Sequence, residues 1–259
     1  MVVNVRKVLR SGRTTGDKMV IMHDKRLPAE YVEALKQKAP AALLIPFGGK
    51  LSSDRDKVYR SISCHPDIYF FQLDERTVIH APGLLEEELE LLRVAGVKLV
   101  KGADDPRGSY PYTAGYNAVR VGKVLFHNLK YTDPVILEKA RERGLKTVNV
   151  SQAYARCSVL PVGERAVITA DKGIAGKARA EGMDTLVVSS GSVVLPGEKY
   201  GFIGGAAAGL NGIVFLLGDI YLHPDGEAIQ KFLTKHTKKH HILESLPLYD
   251  AGSLMIFDI

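Results

Sequence analysis

Four times along this chain a short apolar run, a tight turn, a second apolar run, an amphipathic segment and a third apolar run follow one another. A fifth copy is divided between the two ends. The divided copy reads as a lone first strand over residues 251–257, followed from the other end by a strand over 18–22, a helix over 28–38 and a strand over 41–47. A chain that ends on one piece of a unit and begins on the others is most simply folded by pairing its ends, which closes a ring.

The intact copies set the period at roughly 40 to 55 residues, the range of stacked or circular repeats. The first starts at His65, with strands over 67–73 and 76–80 about the turn Asp74-Glu75, a helix over 83–95 and a strand over 97–100. Its helix carries apolar residues at helical spacing and stops at Gly96. The second has strands over 117–121 and 124–127 about Gly122-Lys123, a helix opened by Thr132-Asp133-Pro134, and a strand over 146–150. The third has strands over 157–162 and 166–169 about Gly163-Glu164, a helix over 171–181 and a strand over 185–188. The fourth has strands over 202–210 and 213–217 about the hairpin pair Asn211-Gly212, a helix over 224–234 and a strand over 242–246.

One such unit cannot bury its apolar face alone, whereas five packed about an axis share a core. The fold class expected is therefore a single α/β domain over residues 1–259, a five-bladed propeller of ββαβ repeats. An ordinary doubly wound sheet is the alternative. Tight turns within each unit imply antiparallel or mixed pairing, and no glycine-rich nucleotide loop follows the first strand, so the ring is favoured.

Two cysteines, Cys64 and Cys157, are too few for a disulfide framework, and the N-terminus carries no long apolar leader, so a cytoplasmic setting is expected. The longest apolar stretch, 201–218, holds Asn211 and six glycines and reads as buried strand instead of a membrane span. A net charge of +6 would suit a polyanion, yet basic residues concentrate only at 6–13 and 234–241, which read as solvated surface and do not point to nucleic acid. His236, His240 and His241 lack acidic or cysteine companions, so no metal is expected there. The bands at Asp133 and Asp171 read as helix caps, and the glycines of 201–212 as close packing at the axis.

In a ring, the starts of the five first strands converge on the axis: His65 to Asp67, Tyr116-Asn117, Arg156-Cys157, Gly204-Gly205 and Asp250 to Ser253. This brings a thiol, an imidazole and carboxylates together. Here the chain resembles the pentein fold of the guanidino-group modifying enzymes: dimethylarginine dimethylaminohydrolases, arginine and agmatine deiminases and amidinotransferases. Asp250-Ala251-Gly252-Ser253 is similar to their acidic E/D-G-G-D element, His65-Pro66-Asp67 to their H-x-D element, and Cys157-Ser158-Val159-Leu160 to their cysteine element. The order is His, Cys, Asp where the superfamily has Asp, His, Cys, as in a circularly permuted, bacterial branch.

The resemblance implies Cys157 as nucleophile, His65 as proton donor to the leaving amine and Asp250 as its orienting acid, acting on a C–N bond of a small amidine, guanidine or ureido compound through a covalent thio-intermediate and with no cofactor. Asp67, Asn117, Arg156 and Ser253 are the substrate-binding candidates. Ser253 stands where the superfamily has a second carboxylate, which Asp67 would replace. Arg156 beside the thiol is expected to lower its pKa. Cys64, next to His65, is the rival nucleophile. The alternatives are a non-catalytic pentein-like module for a ribosome or protein partner, since that fold includes a ribosome anti-association factor, and a small-molecule sensor. Assembly into a homo-oligomer stays open.

Overall fold

A computed structural model describes residues 19–52 and 58–259. The basic stretch 6–13 lies outside the described residues. In chain order the elements are β1 (Met19–Asp24), α1 (Ala29–Lys38), β2 (Leu43–Phe47), α2 (Pro66–Tyr69), β3 (Phe70–Gln72), β4 (Thr77–His80), α3 (Glu86–Ala95) and β5 (Lys98–Lys101). There follow β6 (Val119–Val121), β7 (Val124–His127), α4 (Pro134–Glu142), β8 (Lys146–Asn149), α5 (Ala155–Ser158), β9 (Val159–Pro161), β10 (Ala166–Thr169), α6 (Lys172–Ala180) and β11 (Asp184–Val187). The last are β12 (Ala207–Leu210), β13 (Ile213–Leu216), α7 (Gly226–His236), β14 (Lys239–Ile242) and β15 (Met255–Asp258).

The strands form five three-stranded sheets. In each, the first strand pairs antiparallel with the second across a tight turn, and the second pairs parallel with the third across a helix. The divided unit obeys the same rule: β15 runs antiparallel to β1, with Ile256 opposite Ile21, and β1 runs parallel to β2. A parallel pair needs a crossover, and a helix on one face supplies it. The Asn211-Gly212 turn has both residues at positive φ, 53° and 81°, as a two-residue hairpin requires. Asp133 and Asp171 cap α4 and α6 by accepting the Val135 and Ile174 N–H groups.

Apolar clusters stitch neighbouring sheets together. Val119, Phe126 and Val148 pack with Val159, Val167 and Ile174, and Ile21, Leu35 and Ile256 pack with Phe215 and Leu217. Hydrogen bonds complete the circuit at the axis. The Gly252 carbonyl accepts the Asp67 N–H (3.2 Å), and the Asp67 carbonyl accepts the Asn117 side-chain amide (3.1 Å). The Asn117 carbonyl accepts the Arg156 N–H (2.9 Å), the Cys157 carbonyl the Gly205 N–H (2.9 Å), and the Gly205 carbonyl the Ser253 N–H (2.9 Å), back in the starting sheet. Gly204 and Gly205 lie against backbone and the Asp250 carboxylate, where a β-carbon would come within 2.4 and 2.0 Å of its neighbours.

Two expectations shift. The first strands begin later than residues 67, 157, 202 and 251; for β3 and β9 this is because α2 and α5 coil residues 66–69 and 155–158 into a single helical turn before them. Pro66, with its fixed φ at the first helical position, favours that turn, and an apolar run alone does not distinguish it from strand. The closing strand of the fourth unit is β14, not residues 242–246, so residues 239–241 of the basic stretch 234–241 are the edge of a sheet, where charge is the ordinary protection. Its histidines diverge: His236 bonds Asp184, His240 meets Gln230 and Thr237, and His241 stacks on Phe215. Among the described residues no group of three or more His, Cys, Asp and Glu is placed to hold a metal ion, and no helix is long and apolar enough to cross a membrane.

At the end of β7, His127 is fully buried; its Nε2–H donates to the Ala153 carbonyl (2.7 Å) and Nδ1 meets the Thr132 hydroxyl (2.7 Å). Burial holds its pKa down at about 4, from 6.5. A depressed folded pKa contributes stability that is complete above pH 6.5 and is lost as pH falls towards 4. The expected loss over that window is about 3 kcal/mol. Urea unfolding at pH 7.5 and pH 4.5 measures it; a His127→Gln variant with the same pH slope as the parent would contradict the assignment.

Candidate active site

The helical turns α2 and α5 occupy matching places in their sheets, so His65 and Tyr154 each precede a turn, and Asp67 and Cys157 lie inside them. Asp67 and Cys157 reach from the two turns towards each other. The Cys157 thiol donates to Asp67 Oδ2 at 3.0 Å and accepts from the Asn117 amide at 3.1 Å. Asn117 Oδ1 also accepts the N–H groups of Arg156 (2.9 Å) and Cys157 (3.1 Å), which fixes α5 from the neighbouring sheet. The Ser253 hydroxyl lies 2.8 Å from Asp67 Oδ2 and 3.0 Å from the Gly204 carbonyl. Asp67 Oδ1 has no partner although the residue is wholly buried.

His65 forms the second half of the cluster. Its Nδ1 lies 3.9 Å from Asp250 Oδ1 and its Nε2 3.9 Å from Asp24 Oδ2, and Nδ1 makes no hydrogen bond. Asp250 is fixed by the N–H groups of Phe202 (2.8 Å) and Gly252 (2.9 Å). Asp24 is fixed by Arg26, whose Nη2 reaches it at 2.7 Å and also donates to the Ser61 carbonyl at 3.0 Å. Arg26 thus straps the end of β1 to the segment that leads into His65.

Electrostatics follow from burial. Desolvation pushes the Cys157 thiol well above its ordinary range, and the carboxylates of Asp67 and Asp250 push it further; Asn117 pulls weakly the other way. Burial likewise raises Asp250, with His65 opposing and Asp67 adding. The resting thiol is therefore protonated, contrary to the expectation that Arg156 lowers its pKa. The Arg156 guanidinium turns away and donates to the carbonyls of Val159 (3.1 Å), Gly204 (3.0 Å) and Ala207 (2.9 Å). It lines a separate cavity of about 710 Å³ at the turn end of the sheets, together with Arg120 and Lys238, and that cavity does not include Cys157.

Cys64 donates to the Gly48 carbonyl at 3.2 Å, and burial raises its pKa too. The structure thus brings Cys157, Asp67, Asn117 and Ser253 into contact, sets His65 between Asp250 and Asp24, and leaves Arg156 and Cys64 outside. Asp24 and Arg26 were not expected from the sequence. The signal was the pair His23-Asp24 closing a strand of the divided copy, where a carboxylate at a strand end meets the axis.

The likeness of architecture extends to solved enzymes. A dimethylarginine dimethylaminohydrolase variant, held as an adduct with S-methyl-L-thiocitrulline, superposes with a TM-score of 0.51 at 11% identity, over 95% of this chain and 100% of that one. Inosamine-phosphate amidinotransferase from Streptomyces griseus gives 0.51 at 11%, over 86% and 76%. The N-terminal domain of ArgZ, an arginine dihydrolase of the cyanobacterial ornithine–ammonia cycle, gives 0.50 at 11%, over 90% and 92%. The architecture is accordingly that of a pentein-type α/β propeller, the fold of guanidino-group modifying enzymes. No curated protein matches the sequence. Residues 22–255 match a family defined by sequence, and the chain belongs to it: the family of unknown function DUF6873.

Proposed function

We propose that this protein hydrolyses a C–N bond of a small amidine-, guanidine- or ureido-bearing molecule, with Cys157 as nucleophile, His65 as general acid and base, and Asp250 and Asp24 flanking the imidazole. The observation that carries the reading is a buried thiol resting on a carboxylate with one free oxygen, Asp67 Oδ1, beside an imidazole flanked by the buried carboxylates of Asp24 and Asp250. Buried carboxylates require a partner. A planar cation with several N–H donors supplies one.

Such a cation on Asp67 replaces the hydrogen bond that the thiol donates and lowers the thiol pKa by its charge. The thiol proton leaves to His65, and the thiolate adds to the planar carbon, forming the C–S bond while the carbon's π electrons move onto nitrogen. Collapse of this tetrahedral adduct breaks a C–N bond, and His65 returns the proton to the departing amine. A water, deprotonated by His65, then adds to the same carbon, and breakage of the C–S bond regenerates the thiol. Ser253 and Asn117 hold Asp67 and the α5 turn in place throughout.

Chloroacetamidine, a planar amidinium electrophile, tests this against iodoacetamide, its neutral counterpart. The expected result is selective alkylation of Cys157 by the amidinium reagent, lost in His65→Ala and weakened in Asp67→Asn, with iodoacetamide slow throughout. Labelling no faster than that of the unfolded chain would assign the fold to a binding module or a sensor instead.

A further inference from the structure

The cavity of about 710 Å³ at the turn end of the sheets is axial. Each of the five first strands contributes a wall residue to it: Phe70 from β3, Val119 from β6, Pro161 from β9, Ala208 from β12 and Met255 from β15. Arg156, which precedes β9, marks its inner end, and the turns that close the first strands form its mouth. A space of this size accommodates a small organic ligand.

Two guanidinium-bearing residues border the cavity, and among the described residues every acceptor on either is a backbone carbonyl. Arg120 on β6 donates from Nε to the Gly122 carbonyl at 2.8 Å and from Nη1 to the Leu73 carbonyl at 2.6 Å, and both acceptor residues also line the cavity. Arg156 uses Nη1 and Nη2 on the carbonyls of Val159, Gly204 and Ala207. Nη2 of Arg120 and Nε of Arg156 donate to no described residue. Desolvation pulls the Arg156 pKa down, the direction of a cation short of counter-charge. Cations in this setting favour an anion, and a guanidinium offers a carboxylate charge-assisted N–H donors.

The acidic groups of the lining sit at the mouth. Asp74 is paired with Arg143 at 2.5 Å. Glu75 and Glu164 are exposed on their turns, Glu164 lying against Gly122, and Lys238 lies over Gly212 on the same rim. The two glutamates oppose the entry of a multiply charged anion. Further in, Leu73, Leu210 and Leu254 add apolar wall. This combination suits a single negative charge carried on an apolar body.

We propose that the axial cavity binds a small aliphatic monocarboxylate, with its carboxylate on Arg120 and Arg156. The proposal is independent of the chemistry assigned to Cys157. Titration calorimetry on the full chain compares hexanoate with hexanol, hexylamine and inorganic phosphate. Hexanoate is expected to bind at least about tenfold more tightly than each of the others, and Arg120→Gln to weaken it about tenfold. Thermal unfolding without ligand reports whether that variant is folded. Lys238→Gln, on the exposed rim and free of any role in the core, is the second variant, with an expected loss of about two- to threefold.

Equal binding of hexanoate and hexanol, a preference for hexylamine, or tighter binding of phosphate overturns the proposal. So does a hexanoate affinity indifferent to both variants, or the failure of hexanoate to bind.

Discussion

Replacing Cys157 by serine is expected to lower turnover by about 10⁴-fold or more while leaving the fold intact. The hydroxyl of serine keeps the hydrogen bond to Asp67 and the contact with Asn117, so the packing of α5 is retained. What is lost is an acidic, polarisable nucleophile. A thiol already raised by burial and by two carboxylates can still ionise when a cation enters beside it. A serine hydroxyl ionises far less readily, so proton transfer to His65 leaves little alkoxide to attack. The measurement is release of ammonia or alkylamine over a panel of guanidino, amidino and ureido compounds, with thermal unfolding as the control. Turnover within tenfold of the parent, in a variant of parental stability, would remove Cys157 from the reaction.

The second large effect is structural. Gly252→Ala is expected to destabilise the protein by about 3 to 5 kcal/mol. The residue has φ near +67°, a conformation that a side chain disfavours. A β-carbon there would lie 2.1 Å from His65 Cβ and 2.5 Å from His65 Cα, so relief requires the backbone that carries the imidazole to move. The same glycine passes its carbonyl to the Asp67 N–H and its N–H to Asp250. Stability and site are therefore coupled at one position. Chemical denaturation gives the first effect, and loss of amidinium labelling at Cys157 gives the second. A change under about 1 kcal/mol would show that the axis yields more easily than its packing implies.

Much of the fold was legible because each unit repeats the same local chemistry. A two-residue turn such as Asn211-Gly212 can only join antiparallel strands, and an amphipathic helix closed by a glycine returns the chain for a parallel partner. The lone strand at the C-terminus was legible as the missing piece of the N-terminal unit because the pieces are complementary. The helical turns of residues 66–69 and 155–158 were not legible as such, since four apolar or mixed residues fit either period.

Of the site, His65, Asp67, Asn117, Cys157, Asp250 and Ser253 were found by following the strand starts to an axis. The partners of each were not. His65-Pro66-Asp67 does not say that the imidazole sits between Asp250 and Asp24 and that the aspartate turns to the thiol. Arg156 was read by its neighbour in sequence, yet a residue's neighbour on a helical turn points elsewhere, and its guanidinium met three carbonyls instead. The Asp24–Arg26 pair went unseen because Asp24 ends the second strand of its unit, and only the starts of the first strands were followed to the axis.

The sequence alone determined the repeat, the pairing of the chain's ends and hence which residues meet at the axis, because periodicity and turn chemistry are local properties. The tertiary structure decided the charge state of the thiol, the orientation of Arg156 and the placing of His65 between Asp250 and Asp24. Those depend on burial and on the approach of groups far apart along the chain, and water, carboxylates and backbone carbonyls act on a side chain only where the fold has put them.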